Sequence, residues 1–212
     1  MIILGLTGSI GMGKSAAAGT LRRLGVPLFD ADATVHRLLA PGGAAVGQVD
    51  TAFPGVRNEA GGIDRQRLGP RVFADRPALR RLEGIIHPMV RRAEKRFVAQ
   101  ARARREPLVV LDIPLLFESG GDDRVDFVLV VTAPLRLQRE RVMRRRGMSE
   151  DRLAEILRAQ MPDREKRRRA DFVVATALGR GATFRRLKAI VRMLRQGTMA
   201  RRDRGRRRCA RL

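Results

Sequence analysis

An apolar run, Ile2–Thr7, leads without a break into Gly8-Ser9-Ile10-Gly11-Met12-Gly13-Lys14-Ser15. Nothing else in the chain restricts its fold as much. The pattern G-x-x-x-x-G-K-[ST] needs a strand to deliver the backbone, glycines to let it curl, and a helix to carry it away. The curl turns successive N–H groups inward, and the helix adds the positive end of its dipole, so the cradle suits a phosphate. Gly11 and Gly13 leave no side chain between backbone and ligand. Gly8, Gly11, Met12, Gly13, Lys14, Ser15 and Ala16 are therefore the candidate nucleotide-binding residues. Lys14, one of only four lysines with Lys95, Lys166 and Lys188, is placed to reach the β- and γ-phosphates. The Ser15 hydroxyl is placed to bind Mg²⁺. Ala16 stands where a second hydroxyl often follows, which removes one contact to the α-phosphate.

Four more apolar, β-branched runs follow, at 26–29, 108–113, 126–132 and 171–175. They are nearly continuous rather than alternating, as in strands covered on both faces. Helical stretches separate them: 14–24, 77–104 as two pieces around His87-Pro88, 136–145, 149–160 and 182–194. Ser149 is suited to cap its helix, with Glu150 and Asp151 in the first turn. Strands alternating with helices give an α/β fold with a parallel five-stranded sheet and flanking helices. The Gly- and Pro-rich stretch 41–71 is expected to be a loop feeding a helical substrate subdomain.

Ligands of such sheets bind at the carboxyl ends of the strands. Asp30 and Asp32 close the second run, and Asp112 closes the third. Asp112 has the shape of a Mg²⁺-holding carboxylate at the end of an apolar strand. Asp30 and Asp32 are expected to project to opposite sides, so that only one faces the γ-phosphate and acts on an attacking hydroxyl. Arg139, Arg141, Arg144, Arg145 and Arg146 follow the fourth run, where arginines neutralise charge on a transferring phosphoryl group. Arg139 and Arg141 are two apart on a helix and cannot both point at one ligand.

The formal net charge of +23 and a sequence pI near 11.9 suit phosphate-rich partners, although the excess is almost entirely arginine, as codon bias also produces. The chain lacks an RNA-binding motif and carries few aromatics for stacking on bases, so no specific nucleic acid is expected. A GTPase would need N-K-x-D, and the only asparagine, Asn58, is not followed by it. No apolar run approaches the roughly 20 residues of a membrane span. With a lone cysteine, Cys209, and no basic leader, the location expected is the cytoplasm. The arginine-rich tail, 198–212, is expected to be disordered.

Further elements carry a family likeness: Asp30-Ala31-Asp32, His87-Pro88, Asp112-Ile113-Pro114-Leu115-Leu116-Phe117-Glu118, Gln160-Met161-Pro162 and 167–171. With the phosphate loop they make residues 1 to about 195 resemble dephospho-CoA kinases. The resemblance implies an adenylate-kinase-like P-loop kinase architecture. It further implies a helical CoA subdomain near 60–100 and a lid near 137–165. The reaction implied is transfer of the γ-phosphoryl group of ATP to the ribose 3′-hydroxyl of dephospho-CoA. By the same likeness Asp32 is the base, and Lys14 and Arg141 act on the phosphates, with Arg139 not excluded as the lid arginine. Ser15 and Asp112 hold Mg²⁺, and Asp32, His87, Leu115, Phe117 and Glu118 line the acceptor site. Thr176-Ala177 departs from the family, in which a polar residue followed by Gly is more usual. Another small-molecule kinase of the same architecture is the nearest alternative, and a nucleic-acid-stimulated NTPase the more distant one.

Overall fold

The computed structural model describes residues 1–197, and the basic tail, with its expected disorder, lies outside them. The chain divides into two compact units. The first comprises Met1–Phe29 and the chain from Ala101 onward, and the second is Asp30–Gln100.

The first unit is built on a five-stranded sheet of β1 (Ile2–Thr7), β2 (Leu28–Asp30), β3 (Leu108–Asp112), β4 (Phe127–Thr132) and β5 (Phe172–Ala175), in the order β2-β3-β1-β4-β5. β1 lies at the centre and runs parallel to β3 and to β4, which in turn runs parallel to β5. The inner strands are buried along almost their whole length, which explains their unbroken apolar sequences. Among the helices of this unit, α1 (Lys14–Arg23) packs on one another with the last helix, Gly179–Arg195. Together they cover a core of Leu4, Leu6, Leu21, Phe127, Leu129 and Leu187.

The second unit is helical and has a core of its own. It holds α2 (Ala31–Leu39), α3 (Val46–Ala52), α4 (Arg65–Phe73) and α5 (Arg76–Ala103), the last running three residues past its boundary. The stretch 41–71 is thus not simply loop, since it forms α3 and the start of α4. Val46, Val49 and Phe53 follow helical spacing and are buried with Val56, Ile63, Leu68 and Val72. Flanking glycines and prolines masked that pattern, and the unit begins at Asp30 rather than near 60.

Two further expectations need correction. His87-Pro88 does not divide α5, which runs through Pro88 as one helix. Ala78, Leu82, Ile85, Ile86, Met89 and Val90 pack into the same core on both sides of the proline. That shared burial outweighs the roughly 3 kcal/mol a helical proline costs. Asp30 and Asp32 are not separated by strand pleat either, because residues two apart on a strand share a face. What separates them is the start of a helix. Asp30 is the N-cap of α2 and accepts the Ala33 N–H at 2.9 Å, whereas Asp32 sits exposed in the first turn. Later in the chain lie α6 (Leu135–Met143), α7 (Glu150–Ala159), α8 (Asp163–Arg169) and α9 (Gly179–Arg195). Ser149 caps α7 as expected, accepting from Arg152 N–H at 3.2 Å.

Candidate active site

The phosphate loop joins the central strand to α1. Its curl requires the left-handed backbone of Gly11 (φ 75°) and Gly13 (φ 88°). A Cβ on Gly8 would lie 2.6 Å from Val131 Cγ2 and 2.8 Å from the Val131 carbonyl, so only glycine lets the loop leave β1 beside β4. Among the described residues, the N–H groups of Gly13, Lys14, Ser15 and Ala16 have no protein acceptor. They are the orphan donors of a helix start, gathered where the macrodipole is positive. An anion is the chemical complement of that arrangement.

Charged groups converge on the same loop. Lys14 Nζ is 2.8 Å from Asp112 Oδ1, and Asp112 is only 3% exposed. Arg141, on α6, donates to Thr176 Oγ1 at 2.9 Å, to the Thr176 carbonyl at 3.2 Å and to the Gly11 carbonyl at 3.4 Å. Arg139 is turned elsewhere, onto Glu150 at 2.7 Å on an exposed surface. The two arginines thus point apart, as their spacing requires. Ser15 and Ala16 are exposed at the start of α1, and Met12 is buried, its sulfur accepting the Ala133 N–H at 3.0 Å.

The loop after β3 places the remaining residues of the Asp112–Glu118 element. Leu115 is exposed, but Phe117 is buried, with the Arg169 guanidinium 4.7 Å from its ring centroid. Glu118 Oε1 accepts the Met161 N–H at 2.8 Å and lies 2.8 Å from Lys166 Nζ. Asp32 and His87 belong to the helical unit, where both are exposed.

Two residues at this site were not singled out as functional from the sequence. Thr176 donates to the Met12 carbonyl at 2.8 Å, accepts from Arg141, and would meet any side chain placed on Gly13 at 2.9 Å. Its position directly after β5 was the available signal. Lys166 is fully buried on α8 against Glu118, and its place in a run of exposed arginines concealed it.

A parallel sheet with a phosphate loop after its central strand, a lysine and a carboxylate meeting there, and a guanidinium brought to the loop by the helix after β4 define a P-loop kinase. The sequence profile of the dephospho-CoA kinase family matches residues 2–178. A dephospho-CoA kinase of Paramagnetospirillum magneticum is 60% identical over 195 residues, spanning 92% of each chain. A crystal structure from Thermus thermophilus superposes with a TM-score of 0.77 at 40% identity, covering 91% of this chain and 97% of the other. The dephospho-CoA kinase from Campylobacter jejuni gives a TM-score of 0.68 at 26% identity, covering 93% and 98%. The chain belongs to the dephospho-CoA kinase family and is an ATP-dependent kinase. No helix among the described residues is long and apolar enough to cross a membrane.

Proposed function

We propose that this chain transfers the γ-phosphoryl group of ATP to the ribose 3′-hydroxyl of dephospho-CoA, giving CoA and ADP, the last step of coenzyme A synthesis. The observation that carries this reading is the row of four orphan amides, Gly13 to Ala16, beside the Lys14–Asp112 pair, in a chain of this family.

The roles follow from chemistry. The amides and Lys14 bind the β- and γ-phosphates, Lys14 exchanging the Asp112 carboxylate for phosphate oxygens. Arg141 offsets charge that spreads over the transferring group in a loose transition state. Its contacts with Thr176 and the Gly11 carbonyl keep the guanidinium at the loop. Ser15 and Asp112 supply a hydroxyl and a carboxylate, the hard oxygen donors that suit Mg²⁺, which commonly takes few protein ligands and completes its shell with phosphates and water. When bound, Mg²⁺ would supply charge that neutralises the phosphates. Asp32 takes the proton of the 3′-hydroxyl as that oxygen attacks phosphorus. Its carboxylate is exposed, whereas that of Asp30 is engaged in capping α2. The helical unit, including His87, together with Leu115, Phe117 and Glu118, is assigned to the acceptor. The stretch 137–165 is assigned to the lid.

The test is an ADP-release assay with dephospho-CoA, adenosine, AMP and shikimate offered separately, together with mass analysis of the product. Turnover with dephospho-CoA alone, adding one phosphate, is the expected result. Preferred turnover of another acceptor, or ATP hydrolysis stimulated by RNA without an acceptor, would overturn the reading.

A further inference from the structure

One residue of the phosphate loop, Ile10, is held through both of its backbone polar groups. Gln138, on α6, donates from Nε2 to the Ile10 carbonyl at 2.8 Å. Gln160, the C-cap of α7, accepts the Ile10 N–H through Oε1 at 3.1 Å. The two glutamines lie at opposite ends of the stretch that contains the turn after α6 and the whole of α7. Gln138 is 2% exposed, and Val142, one turn along the same helix, fills the space beside Gly11. Gln160 is fixed from its other side as well. The next residue, Met161, donates its N–H to Glu118, the carboxylate that also pairs with buried Lys166.

A primary amide suits both places because it has a donor and an acceptor without charge. A carboxylate at position 160 would bring negative charge beside the phosphates, and an apolar side chain would leave the half-buried Ile10 N–H to water alone.

We propose that Gln160 is a positioning residue for nucleotide binding. Its Oε1 fixes the orientation of the Ser9–Ile10 peptide, while Gln138 ties the Ile10–Gly11 peptide that follows, and so presets the curl that turns the amides of Gly13 to Ala16 inward. This inference rests on the reading of the loop as the ATP phosphate site. It also gives the stretch between α6 and α8 a direct hold on the loop. Withdrawing Gln160 frees the Ile10 N–H, so nucleotide affinity follows the position of that stretch.

The near-isosteric change Gln160→Met removes the acceptor and keeps the bulk. In equilibrium titrations without acceptor, the Kd for ATP is expected to rise about 3- to 10-fold, the scale of one lost hydrogen bond. The KM for dephospho-CoA should stay within about twofold and the melting temperature close to wild type, whereas a merely structural role would lower stability and spare the difference between substrates. With Gln138→Met, the double variant should lose less ATP affinity than the product of the single losses, because both hold the same residue, Ile10. An unchanged Kd for ATP in folded Gln160→Met, or equal weakening of both substrates, would overturn the proposal. Failure of the wild-type protein to bind ATP would instead sink the reading of the site itself.

Discussion

Lys14 Nζ and Asp112 Oδ1 lie 2.8 Å apart at the ends of two structural elements that the phosphate loop and the sheet bring together. Each group serves the other before it serves the substrate. The lysine gives a nearly buried carboxylate its counter-charge, and the carboxylate holds the lysine at the mouth of the loop.

Lys14→Met should therefore do two separable things. It should lower phosphoryl transfer by at least about 10²-fold, as expected for loss of electrostatic stabilisation of developing charge. It should also lower stability by about 1–3 kcal/mol, because Asp112 loses its cation. Adding Asp112→Asn should recover stability in a denaturant titration but not activity. Near-wild-type turnover by a folded Lys14→Met enzyme would rule out the role of the loop lysine.

Asp32→Asn should reduce kcat by about 10²–10⁴-fold with little change in ATP affinity, the range for losing a positioned base. Asp30→Ala should act through stability, at about 1 kcal/mol for a lost N-cap, and Asp30→Asn should be close to neutral because asparagine also caps. A larger kcat loss in Asp30→Asn than in Asp32→Asn would reverse the assignment.

The two candidate lid arginines are separated by their partners. Arg141→Ala removes the guanidinium that touches Thr176 and Gly11 and should cost about 10²–10³-fold in kcat/KM. Arg139→Ala breaks only an exposed pair with Glu150, worth no more than about 1 kcal/mol, and should leave kinetics within about twofold. Comparable kinetic losses in both variants would show that position on α6 does not divide their roles.

Glu118→Gln should destabilise the protein by about 3–5 kcal/mol at neutral pH, because Lys166 is wholly buried and Glu118 supplies its counter-charge. Lys166→Met should cost less, since Glu118 is partly solvated and retains the Met161 N–H. Thermal unfolding of both variants measures the difference. Equal melting temperatures for Glu118→Gln and wild type would contradict the pairing.

The strands and the loop were legible because their signals are local. Five apolar runs became five strands within a residue or two at each end, and Gly8 to Ser15 specified its own turn. The helical unit was less so. Val46, Val49 and Phe53 carry a helical period, but Pro41, Gly42, Gly43, Pro54 and Gly55 surround it with turn residues, and the packing that holds α3 together is tertiary. Pro88 misled for the opposite reason, since a local rule predicted a break that a continuous buried face overrode. At the candidate site, Lys14 and Ser15 could be named as candidates from spacing and Asp112 from its place at the end of an apolar strand. The contacts of Thr176 and Gln160 with the loop span 164 and 150 residues, so the place of each in the chain marks it without naming its partner.

The order of strands has a consequence for how the chain acquires its structure during synthesis. β1 emerges first, yet its partners are β3, which begins at Leu108, and β4, which begins at Phe127. Until the ribosome has passed the first of them, the most central strand of the sheet has no edge on which to pair. Most of the Asp30–Gln100 unit, whose contacts are largely internal and helical, can condense around Val49 and Leu68 before then. Closing the intervening loop costs only a logarithmic entropy, so the delay is set by translation rather than by thermodynamics. During that interval Ile2, Ile3, Leu4 and Leu6 are an exposed apolar segment on a nascent chain, the kind of surface a holding chaperone covers.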